Sequence, residues 1–308
     1  MEEKRDVYIN PFTDYGFKKL FGEEPNKNLL IDFLNELLRE EDEVIKEITY
    51  LPTERLGIVE HERKAMFDLY CENERGEKFI VEMQKSKQAN FKDRTIFYSA
   101  HPIVEQGKRN NWDFKLNKVY TIAILDFVFE EYKNDPAYCH RVKLKNDATN
   151  EVFSDKLQYI YLEMPKFKKG IDQLETRFDK WLYVISNLSR LDRIPESLRE
   201  KIFIQFFESA ELAKFTVDEN HWYQVSLKQY RDMINQVNTA HADGRAEGRE
   251  EGIEQGRAEG IEQGRAEGEA IGMEKGVKET ARKMKVGGMT AVQIQDFTGL
   301  SEEEINQL

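Results

Sequence analysis

The sequence predicts an α/β fold, a mixed β-sheet flanked by helices and followed by a helical C-terminal region. Three observations carry this. Two alternating runs, AMFDLY and KFIVEMQ, flank the turn-forming segment ENERGE. The run VYTIAILDFVF at 119–129 is mostly β-branched and apolar, as a central strand covered on both faces requires. Helical periodicity both precedes and follows these strands, the order expected of helices packed on a sheet.

Taken in chain order, FKKLFG at 17–22 opens the helical pattern, with Thr13 or Asp14 as candidate cap. LLIDFLNELL continues it, with Leu29, Phe33, Leu34 and Leu37 at helix spacing. Ile45 to Leu51 reads as a strand, and a second extended segment covers Lys64 to Cys71. A helix is expected from Asn90 to Gln106, and further strands over Tyr138–Lys145 and Lys156–Glu163, joined through NDATNE. From Ile171 the pattern turns helical through IDQLETRFDKWLYVISNL, REKIFIQFFESAELAKF and QVSLKQYRDMINQV.

The hairpin between the two alternating runs writes its own register. If Glu74, Arg75 and Gly76 form a three-residue loop with Gly76 left-handed, Asn73 pairs with Glu77. Counting back, Asp68 then lies opposite Glu82. The strand period of two puts Gln84 on the face of Glu82, while Val81 and Met83 face the other way. A facing Asp and Glu could simply lie on a solvated strand. Against that, MFDLY and FIVEMQ are otherwise apolar, so their acids sit where charge is costly. Lys85, Lys87, Lys92 and Arg94 also follow at once as a local basic edge.

Such a constellation suits phosphodiester hydrolysis. Carboxylates can hold Mg²⁺, with Mn²⁺ as a substitute, a hard ion that activates water and neutralises phosphate charge. Asp68 and Glu82 are the candidate metal ligands. Gln84 can orient water or a phosphate oxygen but cannot act as a general base.

Composition narrows the alternatives. The chain has 308 residues, 40% of them hydrophobic, enough for one ordinary α/β core and a smaller polar appendage. With 46 Lys and Arg against 58 Asp and Glu, the formal charge of -12 excludes a broadly cationic coat for nucleic acid. A carboxylate–metal site with a basic rim remains compatible with it. Two cysteines, Cys71 and Cys139, make neither a disulfide framework nor a zinc site, and point to a reducing compartment. No signal-type or membrane-length apolar run is present, so a cytoplasmic protein is expected.

His61, His101, His140, His221 and His241 show no zinc-binding spacing, and no phosphate-loop signature is present. Ser99 near His101 is no triad. Trp112, Trp181 and Trp222 read as packing residues rather than base-stacking platforms.

Near Asp243 the composition changes, with glycine at every fourth position from 244 to 276 among Glu, Arg, Gln and Ala. Four residues advance a helix by about 400°, so the glycines trace a slowly winding stripe. Each costs about 1 kcal/mol relative to Ala. Either the tail is partly disordered or another surface approaches that stripe. Beyond Lys285, two short helices turn at Thr298 and Gly299, with Ser301 and Glu304 as a capping box. The acidic last helix is ill suited to phosphate.

The blocks NPFTDYGFKKLFG, FDLY, EKFIVEMQ, FKDRTIFYSA and KVYTIAILDF resemble the PD-(D/E)XK nuclease-like proteins of the recombination-promoting nuclease and transposase family. The resemblance spans residues 8 to 170 and extends to the TGLSEEEI ending of the glycine-rich tail. It implies a restriction-endonuclease-like sheet and Mg²⁺-dependent DNA cleavage. Asp68 and Glu82 match the metal-binding acids, and Gln84 matches the third motif position, where the wider superfamily has Lys. Lys85 is adjacent but expected on the opposite face. Asp14 matches an N-terminal acidic position and either extends the metal shell or caps its helix.

Lys85, Lys87, Arg94 and Tyr98 are candidate DNA phosphate contacts. A salt bridge and a core-edge ring explain Arg94 and Tyr98 nearly as well. The implied organisation is a nuclease-like domain over 1–170, a helical extension packing on it over 171–240, a repeat helix or linker over 241–286, and a helical hairpin over 287–308. DNA is the expected partner, with homo-oligomerisation through the C-terminal helices. A catalytically silent scaffold of the same fold and an RNA-directed nuclease are the alternatives.

Overall fold

The first helix is set by the residues just before it. Asn10 accepts the Phe12 N–H on its side chain at 2.9 Å and the Thr13 hydroxyl on its carbonyl at 2.8 Å. Thr13 Oγ1 in turn accepts the Gly16 N–H at 3.0 Å and caps α1 (Asp14–Phe21). Thr13, not Asp14, is therefore the cap. Asp14 is the first helical residue, where a carboxylate complements the helix dipole, and pairs with Lys18 at 3.1 Å. The computed structural model describes residues 6–39, 43–55, 65–107 and 113–308. His61, Lys64 and Trp112 lie outside them.

α2 (Lys27–Leu38) buries the predicted stripe, Leu29, Phe33, Leu34 and Leu37 included. The strands then follow as β1 (Ile48–Tyr50), β2 (Glu54–Arg55), β3 (Ala65–Met66), β4 (Leu69–Asn73), β5 (Lys78–Gln84), β6 (Val119–Leu125), β7 (Cys139–Lys145) and β8 (Val152–Glu163). Six of them form one sheet in the order β1-β4-β5-β6-β8-β7, and β2 pairs separately with β3. The β1, β4 and β5 pairings are antiparallel, whereas β5–β6 and β6–β8 are parallel. Joining parallel β5 and β6 requires a crossover, and α3 (Phe91–Gln106) supplies it. The sheet is thus mixed and helix-flanked, as the periodicities predict.

Several boundaries differ from expectation, β8 for one starting at Val152 rather than Lys156. The extended segment at 64–71 is broken, because Phe67 and Asp68 stand between β3 and β4. The strand expected over 119–129 stops at Leu125. The Phe129 N–H there leaves the sheet direction to donate to the buried Glu163 carboxylate at 2.6 Å. The helix expected from Ile171 starts only at Arg177 in α4 (Arg177–Asn187). Thr176 and Asp179 cap it reciprocally, each accepting the other's N–H at 3.0 to 3.1 Å.

One sheet face, carrying Phe79, Val81, Met83, Ile122 and Ile124, is covered by α1, α2, α4 and α5 (Lys201–Ala210). Trp181 is fully buried there among Phe21, Phe33, Phe203 and Phe206, its indole N–H donating to Asp32 at 2.8 Å. The opposite face, with Ile80, Ala123 and Leu125, packs toward residues of α3 such as Phe91 and Tyr98. Among the described residues no helix is long and apolar enough to cross a membrane.

The chain divides into two compact units, Met1–Val237 and Asn238–Leu308. α6 (Val217–Val286) starts in the first, where Tyr223 and Leu227 join the core. In the second it continues as helix through all the tail glycines, and a Cβ on any from Gly244 to Gly276 would meet nothing within 4 Å. No other surface of the described residues approaches the stripe. α7 (Ala291–Thr298) and α8 (Glu302–Gln307) close on α6 through Ala281, Ile294 and Ile305. The turn has Gly299 at φ +74°, and Ser301 and Glu304 form the predicted capping box.

Candidate active site

The β4–β5 hairpin has the predicted register. Gly76 sits at φ +78°, the Asn73 N–H donates to the Glu77 carbonyl at 3.0 Å, and the ladder runs from Glu72↔Lys78 to Leu69↔Val81. One further step places Asp68 across from Glu82, just past the last backbone pair. There side chains take over from the ladder. Asp68 Oδ2 accepts the Met83 N–H at 2.8 Å, and the Asp68 N–H supports the Glu82 carboxylate. Two acids are thus held side by side by the backbone of each other's strand.

Neither acid is comfortable as an anion. Burial raises the Asp68 pKa, opposed by the Met83 N–H and reinforced by Asp14. Burial pushes Glu82 up to about 8, with the Asp68 charge adding to the effect and Arg94 opposing it. Glu82 is 6% exposed, and its Oε1 is buried with no hydrogen-bond partner. A buried carboxylate oxygen left this way is costly unless a cation meets it.

Gln84 is also buried, and its amide is held at both ends. Oε1 accepts from Arg94 Nη2 at 2.6 Å, while Nε2 donates to the Ser86 carbonyl at 3.0 Å. The other Arg94 amino group donates to Gln88. Gln84 and Gln88 therefore fix a guanidinium whose charge bears on Glu82. Gln88 carries no sequence signal for this. Of the two readings of Arg94, a salt bridge is not what holds it; two amides do. Tyr98 packs edge-on against Phe67, with ring centroids 5.4 Å apart.

Lys85 follows the last residue of β5 and lies with Asp14 and Phe17 of α1, on the side opposite Glu82 as alternation requires. Because the cavity sits at the end of the strand, Lys85 still lines it. That cavity, of about 180 Å³, gathers Asp14, Asp68, Met83, Gln84 and Lys85. Burial lowers the Lys85 pKa, with Asp14 and Asp68 working against the shift. Lys87 is exposed, beside Glu131, and lines neither this cavity nor the next. A larger cavity, of about 700 Å³, shares Asp14 and Asp68 and extends to Trp222 and Val225 of α6. Trp222 is 60% exposed, contrary to its reading as a packing residue.

Among the described residues no group of three or more His, Cys, Asp or Glu gathers as a metal cluster, and Asp14 lines both cavities together with Asp68. The paired carboxylates nevertheless fit a hard divalent ion. They are all-oxygen donors, one atom of which is buried and unpartnered. Mg²⁺ retains several waters and takes as few as one or two protein carboxylates.

No curated protein and no solved structure matched the chain. The family model described as PD-(D/E)XK nuclease family transposase matches residues 11–240, a span that holds the hairpin, α3, the sheet and the start of α6. With this arrangement of sheet and helices and most of its length matched, the chain belongs to the PD-(D/E)XK nuclease family transposases.

Proposed function

We propose that the protein is a Mg²⁺-dependent DNA endonuclease whose metal is held by Asp68 and Glu82. The observation that carries this reading is the buried, unpartnered Glu82 Oε1 beside the Asp68 carboxylate at the end of β5. When bound, the ion supplies an activated water and neutralises charge on the phosphate. The chain's own residues provide the rest. The two backbone N–H groups fix the carboxylates, so no reorganisation is needed when a cation is bound.

Arg94 supplies positive charge next to Gln84, the motif position at which the family signature has lysine, and Gln84 acts by aiming it. Lys85 adds a second positive charge from the α1 side, next to Asp14 and Asp68. Asp14 adjusts the field on Asp68 and holds Lys18. Tyr98 supports the hairpin end through Phe67. Lys87, exposed on the Glu131 side, is left as an outer phosphate contact at most.

The test is cleavage of plasmid and linear DNA, with RNA in parallel, with and without Mg²⁺. Metal-dependent nicking is expected, falling by at least about a hundredfold in Asp68→Ala and in Glu82→Gln. Undiminished cleavage in either variant overturns the assignment. Preferential cleavage of RNA would move the substrate, and folded protein without metal binding or cleavage would leave a silent scaffold of this fold.

A further inference from the structure

We propose that the larger cavity beside Asp68 receives an unpaired nucleotide whose base stacks on Trp222, so that the protein acts on single-stranded or locally opened DNA. This rests on the nuclease reading for what happens at the phosphate, but not for the binding itself. Trp222 and Tyr223 are neighbours on α6 with opposite fates. Tyr223 is 1% exposed, its hydroxyl accepting the Asn10 N–H, while Trp222 is 60% exposed at the cavity. The His221 ring meets Trp222 edge-on, with centroids 5.5 Å apart and planes at 67°.

The cavity that Trp222 lines, at about 700 Å³, is in the size range of small-molecule sites. Tyr15, Leu69 and Val225 line it with apolar surface, while Asp14 and Asp68 are shared with the smaller cavity at the end of β5. A duplex presents phosphates outward and keeps its bases stacked inside, so it offers nothing flat to an aromatic-lined concavity. An unpaired base has a free π-face, and stacking on an exposed indole is the general means of holding one without regard to sequence. The same cavity reaches Asp68, so the phosphate next to a base held there lies beside that carboxylate.

Binding is measured by tryptophan fluorescence on the full-length chain carrying Glu82→Gln, without divalent metal so that nothing is cut. The probes are an oligothymidylate and a blunt-ended duplex of equal length with neither loop nor overhang. The single strand is expected to quench emission and the duplex to leave it unchanged. Adding Trp222→Phe removes the quench while retaining most of the affinity, which assigns the signal to Trp222 rather than to Trp112 or Trp181. Trp222→Ala weakens single-strand binding by about tenfold or more. Equal binding of duplex and single strand, unquenched emission at saturation, or Trp222→Ala binding at undiminished affinity each overturns the proposal. Cleavage that depends on Glu82 with Trp222→Ala binding unimpaired would sink only the nucleotide pocket. Trp222-dependent binding without metal-dependent cleavage would sink only the nuclease reading.

Discussion

Two buried glutamates end neighbouring stretches of the parallel sheet, and their surroundings could hardly differ more. Glu163, the last residue of β8, is 0% exposed. Its Oε1 accepts the Phe129 N–H at 2.6 Å, and its Oε2 lies 3.1 Å from His140 Nε2 and 2.6 Å from Lys166 Nζ. Lys166 also donates to the Tyr132 and Ala137 carbonyls, and Tyr132 stacks on His140 at 4.2 Å. Glu82, near the end of β5 and separated from β8 by one strand, is also buried, but one oxygen has no partner and the charge that bears on it most strongly is that of another carboxylate. The first glutamate completes a network that ties the 126–138 segment to the sheet. The second has one oxygen left without a partner, the feature on which the proposed cation site rests. Burial alone therefore does not separate the two acids; the tally of their partners does.

That contrast can be broken in three ways, beginning with the largest effect. Glu163→Ala strips one acid from a paired, fully buried network and leaves Lys166 and the Phe129 N–H without it. A loss of about 3–5 kcal/mol in urea unfolding is expected. A change below about 1 kcal/mol would make the network ornamental.

Glu82 behaves the opposite way. Its pKa in the folded chain is raised above the ordinary value, so the stability it contributes is complete below about pH 4.5 and is lost as pH rises to about 8. Metal-free protein should accordingly weaken across that window. Glu82→Gln should flatten the slope and stabilise the chain at pH 8 by up to a few kcal/mol, and Mg²⁺ should restore the wild-type chain alone. A steeper slope in Glu82→Gln, or indifference to Mg²⁺, would contradict the contrast.

The smallest effect is expected at Arg94. Arg94→Lys keeps the charge but loses the forked grip of Gln84 and Gln88, so cleavage should fall about tenfold while the calorimetric Mg²⁺ affinity stays within about threefold. If Gln84→Ala produces the same loss and the double variant is no worse, the two act as one unit. Additive losses would show that Gln84 works independently of the guanidinium.

Much of the site is legible in the chain because its elements are local. A glycine three residues into a tight loop determines the β4–β5 register, and the register determines that Asp68 faces Glu82 with Gln84 beside them. The NPFTDYG block similarly contains its own cap, since Asn10, Thr13 and Gly16 are within hydrogen-bonding reach along the chain. Periodicity places the six-stranded sheet, α3 and the terminal helical pair to within a few residues, because the pattern of burial repeats faster than the elements end.

What the sequence could not decide are relations between distant parts. Nothing in the local pattern tells that Arg94 reaches back to Gln84, that Glu163 stops β6 by capturing Phe129, or that Trp222 faces open space while Tyr223 is buried. Lys85 shows the reason most clearly. Strand alternation correctly puts it on the far face, but the cavity opens at the strand's end, where both faces meet. Sequence by itself determined which acids face one another, because hairpin geometry is covalent and short-ranged. Only the tertiary structure decided which of them lacks a partner, because partners arrive from strands and helices brought together by the burial of the core.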